Sequence, residues 1–205
     1  MLKLFNGKVE AVINLKGGEL SSLMIHGKER IWNGDSKYWG RHAPVLFPIV
    51  GSLQDDEYTY DNQIFKMTQH GFARDMDFKI MEQEDSMVLL QLNACINTLK
   101  NYPFYFTLEI KYELTNDGIK VTYIIINDDD KTMYYSIGGH PAFNINNIND
   151  YELEINGDYD LINLDGKFVS DKAVKGNGNI PLTNESFIND ALIFKNINNN
   201  KIILN

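Results

Sequence analysis

The chain has 205 residues, with 19 lysines and arginines against 28 aspartates and glutamates, for a net charge of −9. An acidic surface repels phosphate backbones and anionic bilayers, so nucleic-acid and membrane partners are disfavoured. Hydrophobic residues at 43% and charged residues at 23% supply a core of ordinary size, and the length suits one large β-sandwich.

The N-terminus, Met1-Leu2-Lys3-Leu4-Phe5-Asn6-Gly7, turns polar too early for a signal sequence. No run approaches the ~18 apolar residues that cross a bilayer. The opening region reads as a meander: Leu2 to Asn6, Val9 to Leu15, Glu19 to Ile25 and Glu29 to Trp32, separated by turns at Gly7-Lys8, Lys16-Gly17-Gly18 and His26-Gly27-Lys28. Short apolar runs punctuated by glycine are a strand signal.

The next stretch holds the chemistry. It begins Trp39-Gly40-Arg41-His42-Ala43-Pro44-Val45-Leu46-Phe47-Pro48 and ends Gln69-His70-Gly71-Phe72-Ala73-Arg74-Asp75. Proline cannot donate to a central ladder, so Pro44 and Pro48 predict an extended segment over a sheet or at its edge. Charges and imidazoles beside aromatics suggest a polar site on an apolar floor. Gly71 lets a backbone or ligand come close to His70.

Ala94 to Lys100 fits one short helix, stopped before Pro103 by the bias that proline imposes on its predecessor. From Phe104 to Leu114 the pattern is clearest. Phe106, Leu108, Ile110, Tyr112 and Leu114 alternate with Thr107, Glu109, Lys111 and Glu113, giving one apolar and one wet face. Asn116-Asp117-Gly118 turns the chain into a strand from Ile119 to Ile126. Its apolar second half, Tyr123 to Ile126, predicts a central position. Asn127 to Lys131 closes it, and a strand from Met133 to Ile137 delivers Gly138-Gly139-His140-Pro141-Ala142-Phe143. Beyond Phe143 the chain turns rich in Asn and Asp. Short strands are expected at Tyr151 to Ile155, Tyr159 to Leu164, Ala191 to Lys195 and Lys201 to Leu204. Lys175 to Asn179 reads as a loop, and an Asn-rich turn joins the last two strands. Together these elements predict an all-β sandwich.

Cys95 is the only cysteine. No intramolecular disulfide can form, which fits a reducing cytoplasm, and Cys95 is expected as a small buried hydrophobe. The histidines lack H-x-H or H-x₃-H spacing, which argues against zinc. The stretch Asn156 to Asp160 resembles a calcium loop superficially. The positions that would need Gly and Glu are Leu161 and Lys167. On these spacings no metal is expected. His26 is expected in solvent and His42 as a packing or capping residue. His140 sits at a rigid, exposed strand exit.

The chain resembles the aldose 1-epimerase, or galactose mutarotase, family, in particular its LacX-type branch. The resemblance rests on Arg41 with Ala43-Pro44-Val45-Leu46-Phe47-Pro48, on His70 to Asp75, and on Tyr102-Pro103-Phe104. It continues through Ser136 to Phe143 and Asp190-Ala191-Leu192-Ile193-Phe194. It implies an antiparallel β-supersandwich, one galactose mutarotase-like domain over 1–205. It implies an activity that interconverts the α and β anomers of a hexose by acid–base ring opening, with no metal or organic cofactor. By the same resemblance His140 is the general acid to the ring oxygen, and His70 binds the sugar and its developing charge. Arg41 donates to sugar oxygens, and Asp190 accepts from sugar hydroxyls. Trp39, Phe72 and Phe143 offer an apolar floor or core packing.

The family's general base is a glutamate well beyond Asp190, and no counterpart stands in this sequence. The C-terminal part of the domain is therefore expected to be missing, and this 205-residue chain to turn over slowly. Three other readings stay open: a non-catalytic carbohydrate-binding module, a hexose-phosphate mutarotase with Arg41, Arg74 or nearby lysines clamping the phosphate, and a structural protein without ligand. The expected partner is a small-molecule sugar in the cytoplasm, and the sequence leaves room for a homo-oligomer.

Overall fold

Glycine turns and alternating apolar residues build the first half of the chain. The computed structural model describes residues 1–165, 168–197 and 201–205. These form two compact units, Met1–Asn144 and Ile145–Asn205. The first unit opens with β1 (Leu2–Phe5), β2 (Val9–Ile13), β3 (Leu20–Ile25) and β4 (Lys28–Glu29). It continues with β5 (Val45–Leu46), β6 (Glu57–Tyr60), β7 (Gln63–Lys66), β8 (Lys79–Glu84) and β9 (Met87–Asn93). A single turn of helix, α1 (Ile96–Leu99), precedes β10 (Phe106–Leu114), β11 (Ile119–Asn127) and β12 (Gly138–Gly139).

Two four-stranded antiparallel sheets result, ordered β1-β2-β3-β4 and β11-β10-β9-β8. Val9, Ala11 and Ile13 of β2 are fully buried, as are Leu108 and Ile110 of β10. They belong to one core that also takes Val88 and Leu90 of β9. The Tyr112 hydroxyl donates to the Gly18 carbonyl across this core at 2.7 Å, satisfying a polar group that burial would otherwise penalise. The predicted alternation along β10 holds, with Thr107 the buried exception on the wet face. Its hydroxyl donates to Asp128 at 2.6 Å and accepts from Asn93 at 2.8 Å, so the burial is compensated.

The segment between the two prolines is extended, as predicted. Val45 and Leu46 of β5 pair antiparallel with Gly139 and Gly138 of β12. The prolines take part only as acceptors: Pro44 accepts from the His140 N–H at 3.1 Å and Pro48 from the Ser136 N–H at 2.8 Å. On its other side the Phe47 carbonyl accepts from Phe72 and Ala73, and Phe47 bridges Gly71 in parallel. A Cβ on Gly71 would lie 2.2 Å from that carbonyl oxygen, and the backbone there has φ +70. At Gly139 the contact is softer: a Cβ would meet the end of the Tyr123 side chain of β11 at 2.9 Å, which a shift of that ring relieves.

Several expectations are corrected. The run Tyr123 to Ile126 is not central: β11 pairs only with β10 in its sheet among the described residues, and Ile124 and Ile126 are exposed on its outer face. Continuous apolarity here marks an edge strand with one uncovered face. Met133 to Ile137 forms no strand, and Tyr134 and Tyr135 are exposed; the paired residues are the two glycines that follow. Two hairpins, β6–β7 and β8–β9, stand where the sequence carried no strong strand signal. Cys95 is half-buried at the N-cap of α1 rather than enclosed.

The second unit comprises β13 (Glu152–Ile155), β14 (Asp158–Asp165), β15 (Phe168–Asn177), β16 (Ile180–Pro181), β17 (Ile193–Lys195) and β18 (Ile202–Leu204). They form two three-stranded sheets, ordered β16-β13-β18 and β15-β14-β17. Lys175 to Asn177 continue β15 instead of looping, because Gly176 lets the Tyr159 ring of β14 lie across it. Lys167 and part of the expected Asn-rich turn, 198–200, fall outside the described residues. Among the described residues no helix is long and apolar enough to cross a membrane.

The close approach at Gly71 yields a stability test. Gly71→Ala combines an unfavourable φ with a clash against immobile backbone and is expected to cost more than ~2 kcal/mol. Gly7→Ala, at φ +90 with nothing within 4 Å, is expected to cost only about 1 kcal/mol. Urea unfolding midpoints at unchanged m-value check the contrast.

Candidate functional site

The ladder around the proline-flanked strand presents two histidines to each other. His140 follows β12 at the strand exit and is exposed. His70 is half-buried on a turn at φ 66, a left-handed conformation held from both sides. Its N–H donates to the Gly51 carbonyl at 2.8 Å, and the Gly51 N–H donates back to His70 Nδ1 at 3.0 Å. The imidazole centroids lie 5.7 Å apart at 66°. On its other side His140 packs against the Trp39 indole at 5.1 Å.

The hydrogen bond from Gly51 assigns a tautomer. Nδ1 is the acceptor, so neutral His70 carries its proton on Nε2 as a free donor. Burial first, then the Arg74 and His140 charges, push the His70 pKa below its ordinary 6.5. His70 is thereby held as a neutral hydrogen-bond donor at neutral pH.

A guanidinium–carboxylate group stands beside the imidazoles. The short 3₁₀ turn Ala73–Asp75, set by the Phe47 carbonyl, carries Arg74 and Asp75. Arg41 Nη2 donates to Asp75 Oδ1 at 2.9 Å, and its Nη1 reaches the Arg74 carbonyl at 3.4 Å. Arg74 Nη2 donates to the Gln69 carbonyl at 2.6 Å. Its Nε is buried without a hydrogen bond among the described residues, with Asp75 Oδ2 at 3.8 Å. Burial and the adjacent Arg41 charge lower the Arg74 pKa, while Asp75 opposes them. These residues line a hollow of about 660 Å³ with Trp39, Glu19 and Lys16. Trp39 lines that hollow and also touches His140, linking it to the imidazole pair.

Of the residues singled out from the sequence, Arg41, His70, Arg74 and His140 are thus brought together. Asp190 belongs to the second unit, exposed on a turn at φ 73, its N–H donating to the Phe187 carbonyl at 2.9 Å. Among the aromatics Trp39 faces the site. Phe72 packs in the core against Phe47, Tyr102 and Phe106. Phe143 is exposed and contributes a backbone bridge to Ile31. His26 is exposed as expected. His42 packs over Gly34, whose added Cβ would meet the imidazole at 2.6 Å. Gly51 and Glu19 drew no attention in the sequence. A glycine turn just after Pro48 was the only signal for the first, and a lone glutamate after Gly17-Gly18 for the second.

The chain belongs to the aldose 1-epimerase family, whose pattern it matches over residues 1–189. It is 34% identical over 165 residues to the chromosomal protein LacX of Lactococcus lactis subsp. lactis, covering 75% of this chain and 55% of that one. The chain therefore spans about half the length of the curated relatives it matches. It superposes on a galactose mutarotase related enzyme from Lactobacillus acidophilus with a TM-score of 0.91 at 32% identity, covering 94% of this chain and 68% of the other. A galactose mutarotase-like protein from Lactobacillus casei ATCC 334 gives a TM-score of 0.82 at 36% identity, covering 90% and 68%.

The His70 environment has a consequence for stability against pH. Its folded pKa is depressed, so the unfolded chain binds more protons between the folded value and 6.5. Stability from this group is complete above 6.5 and is lost as pH falls through that window. In wild-type-minus-variant comparison with His70→Asn, the stability difference is expected to be smaller at pH 5.5 than at pH 7.5. Long-range ¹H–¹⁵N spectra should show an unprotonated Nδ1 at neutral pH and a midpoint below 6.5.

Proposed function

We propose that this chain carries the ring-opening site of a mutarotase acting on a free hexose. What supports the reading is the 5.7 Å approach of His70 and His140 beside Trp39, within a chain of the aldose 1-epimerase family. In the proposed step the anomeric hydroxyl proton passes to a carboxylate base that is not among these 205 residues. The C1=O bond forms as the bond from C1 to the ring oxygen breaks, and His140 gives its proton to that oxygen. Rotation about C1–C2 and the reverse transfers close the ring on its other face and return both protons. His70, neutral with Nε2–H outward, donates to the sugar and to charge developing on its oxygens. Trp39 offers an indole face for the apolar side of the ring. Arg41 donates to sugar oxygens through N–H groups not engaged by Asp75.

Polarimetry of freshly dissolved galactose and glucose tests this, using the protein that carries this chain. Acceleration of mutarotation is expected. His140→Asn and His70→Asn should each lower the rate by ~10² to 10⁴, the usual worth of acid–base assistance. No acceleration overturns the reading. Sugar binding by calorimetry without acceleration would make the chain a carbohydrate-binding module instead.

A second reading has its own observation. Arg41 and Arg74 share one carboxylate, Asp75, and Arg74 Nε has no hydrogen bond. Paired guanidiniums suit a phosphate, which they can grip through parallel N–H donors. In this form the substrate is a hexose phosphate. Hexose 6-phosphate should then compete at least tenfold better than the plain hexose, and Arg74→Gln should abolish that preference. Equal competition removes the phosphate from the proposal and leaves the neutral sugar.

A further inference from the structure

Glu19 has no role in the reaction as proposed, yet it is bound to the segment against which the His140 loop pairs. Its side chain is only 14% exposed. One oxygen, Oε1, accepts two successive backbone N–H groups, those of His42 at 2.8 Å and Ala43 at 3.0 Å. A carboxylate holding backbone donors in this way makes charge-assisted bonds, about twice as strong as neutral ones. The bond leaves no freedom for the peptide units just ahead of Pro44.

Those units are the template for the His140 loop. The His42 carbonyl accepts from the Ala142 N–H at 2.8 Å, and the Pro44 carbonyl accepts from the His140 N–H at 3.1 Å. Val45 and Leu46 then pair with Gly139 and Gly138. The run 138–142 thus reads its conformation from 42–46, and the free start of 42–46 is fixed by Glu19. Proline 44 has no N–H, so the backbone cannot supply a substitute anchor at that point. The second oxygen, Oε2, lies 3.9 Å from His42 Nδ1, which has no hydrogen-bond partner among the described residues. Glu19 also lines the hollow that Trp39 and Arg41 share.

We infer that Glu19 is a positioning residue for His140: by clamping the His42 and Ala43 N–H groups it sets where the acid imidazole stands between Trp39 and His70. The kinetic part of this inference rests on the mutarotase reading; the geometric part does not.

The test compares Glu19→Gln with Glu19→Ala in the protein carrying this chain. The amide keeps a carbonyl oxygen for both N–H groups and discards the charge. Alanine discards both. Two readouts are taken: mutarotation kinetics, and nuclear Overhauser contacts between the Trp39 indole and the His140 ring. Glu19→Gln should keep those contacts and stay within about threefold of wild type in kcat. Glu19→Ala should weaken the contacts and lower kcat by up to ~10², the scale of a 1 Å misplacement, with KM changed far less. Should Glu19→Ala not fold, Glu19→Asp, one methylene too short to reach both donors, carries the same comparison. Unchanged contacts in the alanine or aspartate variant overturn the inference. So does an equal loss of rate in Glu19→Gln with contacts intact, which would make the charge itself the active element. If wild type accelerates no aldose, the ring contacts alone decide for or against the positioning, and the failure falls on the mutarotase reading.

Discussion

The short pairing between Val45–Leu46 and Gly138–Gly139 is the constraint on which the site depends. It is a ladder of two residues a side, too small to persist alone. Its neighbours make it rigid. The prolines at either end of the strand remove two donors and leave their carbonyls to accept from the opposite segment. On its other side the Phe47 carbonyl takes the N–H groups of Phe72 and Ala73, which seats the His70 turn. A single five-residue segment, 44–48, therefore touches both histidine-bearing segments, though the two histidines are 70 residues apart in the chain. The core beneath, with Val45 and Phe47 fully buried, prevents that strand from shifting.

Electrostatics follow from this geometry. The site is a cationic group in an acidic protein, and its cations are only partly compensated. Asp75 answers Arg41 directly and Arg74 at longer range. Glu19, the other carboxylate of the hollow, is taken up by backbone donors. Keeping His70 neutral is consistent with these surroundings, because a third positive charge beside Arg74 would be repelled. The neutral tautomer is also the chemically useful one, since it aims a donor away from Gly51.

What the sequence disclosed depended on how local the determining physics was. The alternation of β10 is a one-strand property and was legible, as were the glycine turns of the opening meander. The extended run between Pro44 and Pro48 was legible too, because proline constrains its own backbone. Strand order was not: whether Tyr123 to Ile126 lie inside or at an edge depends on which strands come beside them, and four apolar residues read alike in both cases. Met133 to Ile137 misled for the same reason, as Tyr134 and Tyr135 have strand-forming side chains and no strand to join. At the site, the histidines and arginines announced themselves through rare residue types in rigid settings. Glu19 did not, since one glutamate among many acquires meaning only from the two N–H groups that close on it. Gly51 likewise shows its part only once His70 is folded back upon it.

The Tyr123 hydroxyl of β11 lies 2.9 Å from where a Cβ at position 139 would stand. A larger residue at 139 therefore has to displace the end of that tyrosine, and a shorter residue at 123 makes room for one. The two positions are coupled, through a contact between a sheet and the segment that leads into His140.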